Sequence, residues 1–313
     1  MTMPATSLVE TQPGRESLVG PDSSLAFAVA GLRVEMHSAP GGPPLAAPST
    51  LEAFAAGACP AGIELSVHWA DEIPAPAGPA VFDSGGVWTL HRRESGYEFA
   101  FRSPAWGDTP YKLARMDENF RRGQVWLSRR VFGARPGVYP LEYPLDELLV
   151  IHRLSRGEGV EVHGCGVVDA RGRGLLFTGH SGAGKSTLAR LWAASAGVCI
   201  LSDDRIILRR GVEGNVSMHG TPWHGEARLA LPLAVPLCGV YVLEHGRAGN
   251  EIERLAPGQA AAELMSRSFL PFHDAAGLGF SLQFFAGVVG EVPCNIFRFL
   301  PDGSAVREIE GHV

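Results

Sequence analysis

Lysine is almost missing from this chain. Among 313 residues only Lys112 and Lys185 carry an ammonium group, and every other basic side chain apart from histidine is arginine. The formal net charge is −6 and no basic block or basic helix occurs, which argues against a nucleic-acid partner or an anionic membrane. Cysteine is sparse too. Cys59, Cys165, Cys199, Cys238 and Cys294 are odd in number and scattered, with no C-x-x-C pair, so neither a disulfide framework nor a zinc site is expected. The longest apolar run, "LALPLAVPLCGVYVL" (229–243), is too short and too broken by proline to span a bilayer. The first residues lack the basic-then-apolar layout of a signal peptide, so a cytoplasmic protein is expected. A hydrophobic content of 45% is ample for a buried core.

Along the chain the texture changes once. Residues 1–23 are polar and aperiodic, and a loose tail is expected there. Residues 24–144 carry short, partly alternating runs such as "LAFAVAGLRVEMH", "GIELSVHWA", "GVWTLHRR", "YEFAFRS" and "GQVWLSRRVF", separated in places by Pro/Gly-rich breaks. A β-rich domain is expected, with one short helix over "STLEAFAAGA" capped by Ser49 or Thr50. "PLDELLVIHRLSRG" has the pattern of an amphipathic helix that stops at Gly157 and joins the two halves. Residues 145–313 then alternate strand and helix patterns, so an α/β domain is expected. "GVEVHGCGVVD" and "RGLLFTG" form a hairpin about "ARGR", "KSTLARLWAASAG" a helix stopped by Gly197, and "VCILSDD" a buried strand that "RIILRR" continues or pairs with. Further on, "PGQAAAELMSRSF" has a helix pattern and "CNIFRFL" that of a closing strand.

Within this half lies "TGHSGAGKST" (178–187), which fits the phosphate-gripping pattern G-x-x-x-x-G-K-[ST]. At this chain's own residue frequencies about 0.003 chance matches are expected, so coincidence is a poor explanation. A strand enters the loop and a helix leaves it, as a phosphate cradle requires. The backbone of Gly179, His180, Ser181, Gly182, Ala183, Gly184, Lys185, Ser186 and Thr187 would hold the phosphates of ATP. Lys185 would reach the β- and γ-phosphates, and the Ser186 hydroxyl would ligate Mg²⁺. A plain glycine-rich connector is the alternative.

Only the sixteen residues 187–202 separate Ser186 from Asp203-Asp204, room for one helix and one return strand. A βαβ crossover brings the carboxyl ends of both strands to one sheet edge, so the two aspartates are expected beside the loop. At a strand end they can divide the work, one holding Mg²⁺ and the other facing the acceptor. A solvated turn is the bland alternative. In the hairpin, residues summing to about 343 face each other, which sets His163 opposite the start of the loop. A packed or solvated histidine is the commoner case, but a His–Asp pair beside a γ-phosphate is suited to activating a hydroxyl.

With "VHGCGVV" ahead of "GHSGAGKST" and "LSDDRI" behind it, the chain over about 145–300 resembles the catalytic domain of HPr kinase/phosphorylase. Its core also resembles ATP-type phosphoenolpyruvate carboxykinase. The resemblance implies Asp203 as the base that takes a serine hydroxyl proton, His163 as its charge partner, Lys185 as the phosphate lysine, and Ser186 and Asp204 at the metal. It departs from that family in three places. The later acidic signature of the E-I-R-G-L-G type is absent, and "GTPWHGEARLA" (220–230) stands in its place, where Glu226, His224 and Arg228 offer a carboxylate and phosphate contacts or a mere surface turn. The β-rich half is unlike the family's own N-terminal domain, and the helices that grip the carrier protein are unrecognisable. The chain is more similar to the HPr-kinase-related proteins that modify ribosomally made peptides, such as lasso-peptide kinases. The expected activity is thus ATP- and Mg²⁺-dependent transfer to a hydroxyl of a peptide or small protein, the oligomeric state being open. Transfer to a small metabolite, or a nucleotide switch or regulatory ATPase working through the β-rich half, are the competing readings; without an N-K-x-D motif a GTPase is not expected.

Overall fold

The computed structural model describes residues 24–56, 61–211 and 213–312. The tail expected over 1–23 and Cys59 lie outside the described residues. The chain has mixed α/β structure built on two sheets.

The first half supplies strands β1 (Ser24–Val29), β2 (Leu32–Ser38), β3 (Ile63–Ala70), β4 (Ala80–Asp83), β5 (Trp88–Arg93), β6 (Gly96–Ser103), β7 (Gly107–Met116) and β8 (Arg122–Ser128). They form one eight-stranded sheet in the order β1-β2-β3-β8-β7-β6-β5-β4. Alternation sends Leu25, Phe27, Val34, Met36, Leu65 and Val125 to one face, where they meet Phe99, Phe101 and Phe120 in a single core. β2–β3 and β3–β8 are parallel, which short alternating runs do not announce. The expected helix at 49–58 is a 3₁₀ turn over Ser49–Phe54 with Pro48 at its start, and neither Ser49 nor Thr50 caps it. β8 runs into the single turn α1 (Arg129–Phe132).

Helix α2 (Leu145–Leu154) follows. Its Leu145, Leu149, Val150 and Leu154 are fully buried in the core of the first sheet, so residues past 144 complete the β-rich half as well. Ile207 joins that core from the second half, with Trp223 and Ala230 packed against it. The second half then contains β9 (Val160–Val168), β10 (Gly174–Thr178), α3 (Lys185–Ala193), β11 (Cys199–Ser202), β12 (Arg205–Arg210), β13 (Val216–Gly220), β14 (Ala234–His245), β15 (Glu251–Arg254), α4 (Pro257–Ser266), β16 (Ser268–Phe269), α5 (Ala275–Glu291), β17 (Cys294–Phe299) and α6 (Ser304–His312). β9, β12, β13, β14 and β10 pair in succession and close on themselves, because β10 pairs with both β9 and β14. No helix among the described residues is long and apolar enough to cross a membrane.

Neither lysine lies at the surface. Lys112 donates to the Glu142 carbonyl at 3.0 Å and sits 4.4 Å from the Phe101 ring centroid; burial draws its pKa down to about 8.

His152 on α2 is a buried histidine. Its Nδ1–H donates to Leu148 O at 2.6 Å, and its ring stacks on His273 at 5.0 Å and meets Phe99 and Phe120. Burial pushes its pKa down to about 3, with His273 and Arg156 adding and Asp274 opposing. The folded state thus refuses a proton that the unfolded chain accepts below about pH 6.5, and stability falls with pH from there toward pH 3. His152→Phe should make the fall shallower by about 1.4 kcal/mol per pH unit in that window, measured by urea unfolding at pH 7, 6, 5 and 4. An unchanged slope would contradict the burial argument.

Candidate functional site

The site grows from β9, because both of its edges change partner at the same point. On one edge β10 covers Gly164–Val168 and β16 covers Glu161–Val162; on the other, β11 covers Gly166–Val168 and β12 covers Val160–His163. The loop after β10 and the bend between β11 and β12 therefore both open beside His163 and Gly164. Backbone bonds fix that seam. His163 N–H donates to Arg267 O at 2.7 Å, Gly164 N–H to Asp204 O at 3.0 Å, and Thr178 Oγ1–H to His163 O at 2.8 Å.

The hairpin register is one residue off the expected sum, and the crossover strands lie on either side of β9. The paired residues are Thr178↔Gly164 and Gly174↔Val168, sums of 342, so His163 follows directly on the last ladder pair. β10 and β11 are parallel but not neighbours: each is antiparallel to β9, which runs between them. The carboxyl ends still lie at one edge, as the crossover argument requires.

Residues 179–184 form the loop between β10 and α3. Gly182 and Gly184 have φ of 82° and 97°, conformations that β-bearing side chains adopt only with strain. Gly184 has a second reason to lack a side chain, since a Cβ there would stand 2.7 Å from the Phe299 ring. α3 then begins at Lys185, anchored by buried Leu188, Ala189 and Trp192, so its amino end faces the loop. His180 and Ser181 are exposed, Ser186 and Thr187 half-buried, and Ala183 buried. His245 from the end of β14 donates Nε2–H to Gly182 O at 3.0 Å. Lys185 is nine-tenths buried, and its Nζ donates to the carbonyls of Gly179 at 2.8 Å and His180 at 3.2 Å. Burial lowers its pKa, the Asp204 carboxylate opposes that, and Arg267 and Arg205 add to the fall. The ammonium is held by two carbonyl dipoles, and no carboxylate among the described residues forms a salt bridge with it.

The two aspartates separate sharply. Asp203 is 1% exposed, and its Oδ1 accepts from Gly225 N at 3.0 Å and Leu229 N at 3.3 Å while Oδ2 accepts from Ala227 N at 2.9 Å. It pins the 221–230 segment and does not meet His163, contrary to the Asp203–His163 pairing expected from sequence; its carboxylate is taken up by the backbone of that segment. Asp204 is the residue at His163, Oδ1 lying 3.3 Å from His163 Nδ1. Arg205 Nη1 touches Asp204 Oδ2 and lies 3.2 Å from His163 Nδ1. Burial lowers the His163 pKa, Lys185 and Arg205 reinforcing and Asp204 opposing, so the ring is neutral at neutral pH. In the 221–230 segment, Glu226 and Arg228 are exposed and His224 is half-buried with Nδ1–H donating to Gly225 O at 3.1 Å.

Sequence reasoning passed over Arg205, Arg267, Glu147, Glu161 and Phe269. One signal was present: Glu161 stands between Val160 and Val162 in a strand that is mostly apolar, and an acid so placed demands a partner. A scan of protein-family models matches none of them to this chain, and no curated protein matches it either.

The Asp203 geometry carries its own test. Asp203→Ala would leave three backbone N–H groups without an acceptor and should cost about 3 kcal/mol or more in guanidinium unfolding. Asp203→Asn keeps one acceptor oxygen and should cost roughly half of that. An alanine variant with the wild-type midpoint would refute the pinning role.

Proposed function

We propose that residues 145–313 are a phosphate-loop kinase core of the HPr-kinase-like kind, transferring the γ-phosphate of ATP to a hydroxyl of a peptide or small protein. The observation that carries this is the meeting of Lys185, buried and without an anion, with the Asp204–His163 pair across the seam of β9. A nucleotide switch needs the lysine and a metal carboxylate; it has no use for a second, proton-accepting pair aimed at an acceptor. That difference favours the kinase over the switch or regulatory ATPase, and it leaves small-metabolite transfer as a matter of acceptor alone.

In this reading Lys185 and the amino end of α3 hold the β- and γ-phosphates, and the glycines at 182 and 184 let the backbone come close. Asp204 takes the part that the sequence resemblance gave to Asp203. It accepts the proton of the acceptor hydroxyl as the new O–P bond forms and the bond to the β-phosphate oxygen breaks, with His163 as its partner. Asp203 holds the 221–230 segment against the site. Among the described residues no group of three or more His, Cys, Asp or Glu converges as a metal site. That suits Mg²⁺, which takes one or two protein oxygens and fills its shell with phosphate oxygens and water. The Ser186 hydroxyl would hold it, leaving Asp204, which the resemblance gave to the metal, for the acceptor; when bound the ion supplies positive charge against the phosphates. The cytoplasmic setting and the β-rich half as a separate domain belong to the same proposal.

Calorimetry with ATP–Mg²⁺ tests the loop: Lys185→Ala should weaken binding about 10–100-fold, the worth of a charge-assisted contact, and equal affinities would sink the reading. Single-turnover transfer of labelled γ-phosphate to a serine-peptide library tests the chemistry. Asp204→Asn should slow transfer about 10²–10⁴-fold, whereas Asp203→Asn should act chiefly through stability. Wild-type transfer by the Asp204 variant would return the protein to the switch class.

A further inference from the structure

One cluster of buried charge has no part in the chemistry above. Arg205 stands on β12 directly across from His163, and Ile207, two residues on, stands across from Glu161. Its guanidinium therefore lies over two residues of β9 that share a face. Nε donates to Glu147 Oε1 at 2.6 Å and lies 3.7 Å from Glu161 Oε1. The opposite end, Nη1, touches Asp204 and lies 3.2 Å from His163 Nδ1. Phe269, paired with Glu161 from the other edge of β9, covers the flat face at 4.3 Å from its ring centroid. Guanidinium is a rigid plane with its donors in a fixed fork, so holding Nε in one place fixes where Nη1 points.

The hold comes from the β-rich half. Glu147 belongs to α2, whose Leu145, Leu149, Val150 and Leu154 are seated in the first core. Glu161 completes the arrangement from beneath. It is 1% exposed with neither carboxylate oxygen hydrogen-bonded among the described residues, and burial together with Glu147 pushes its pKa well above the carboxylate range. Glu147, at 2.6 Å against 3.7 Å for Glu161, is the closer partner of Arg205 Nε. We propose that Glu147, acting through Arg205, is the positioning residue for Asp204 and His163, so that the seat of α2 in the β-rich half sets the geometry of the transfer site.

The rate consequence rests on the kinase reading; the geometric one does not, and the test keeps them apart. In the full chain, the ¹⁵N signals of Arg205 Nε (assigned by its loss in Arg205→Lys) and of the His163 imidazole are recorded at one pH without nucleotide. ATP–Mg²⁺ affinity and single-turnover loss of the γ-phosphate, with water as the probe acceptor, are measured beside them. Glu147→Ala should move both nitrogen signals and slow phosphate loss about 10–100-fold, the usual cost of a small misplacement, with ATP affinity within about twofold of wild type. Glu147→Gln keeps an oxygen for Arg205 Nε–H and should restore the rate to within about threefold. Arg205→Lys should match Glu147→Ala, and the double variant should be no slower than either, as residues acting as a unit require. If Glu147→Ala does not fold, Arg205→Lys, which keeps a cation in the site, carries the same reading. His163 signals that stay in place in Glu147→Ala or Arg205→Lys overturn the proposal whatever the rates. A wild-type chain that consumes no ATP would overturn the kinase reading while the nitrogen signals still decide this one.

Discussion

Two neighbouring backbone bonds on β9 fix the place of the candidate site: His163 N–H to Arg267 O and Gly164 N–H to Asp204 O. Adjacent amides of a strand point to opposite edges, so these bonds tie β9 to two different parts of the chain at one level. On one edge the strand order passes from β10 to β16, on the other from β11 to β12. The sheet changes partner on both edges at one level, and the loop at 179–184 and Asp204 lie beside that level. Glycine at 164 suits the crowding there, for a Cβ would stand 2.9 Å from Leu176 and 3.0 Å from the Phe177 carbonyl.

Among the described residues, Asp203, Glu147 and Lys112 are buried groups with compensating partners. Asp203 is compensated by three amides, Glu147 by Arg205, and Lys112 by a carbonyl and an aromatic face. Taking a charge out of water costs several kcal/mol, and such partners are what offsets it. Lys185 has two carbonyls but no anion, and Asp204 shares its carboxylate with His163 and Arg205 at the open side. An incompletely compensated cation facing a partly exposed acid is a costly arrangement for stability alone.

Much of this was legible in the sequence. The loop motif, its strand and helix, the hairpin that carries His163 and the arrival of the Asp pair at the same edge all follow from local spacing, where few geometries are open to a chain of that length. The division of roles within the pair was not, because it depends on the 221–230 segment docking on Asp203 from far along the chain. Arg205 was overlooked because its partner Glu147 sits 58 residues away on a helix that looked like a connector. α5 was missed for another reason: "AAGLGFSLQFFAGVVGE" has no charged residue before its last, so no polar periodicity marks it, and its four glycines offset its alanines and leucines. The parallel pairs β2–β3 and β3–β8 are non-local by nature, and no short-range pattern encodes them.

The central claim is that nucleotide phosphates lie between the loop at 179–186 and the His163–Asp204 pair. Paramagnetic relaxation measures this directly. With Mn²⁺ in place of Mg²⁺ and ATP bound, the imidazole signals of His163 should broaden beyond detection while those of His37, on β2 in the other sheet, stay sharp. A His163 spectrum that stays sharp while Mn²⁺–ATP is bound would place the phosphates elsewhere and contradict the account.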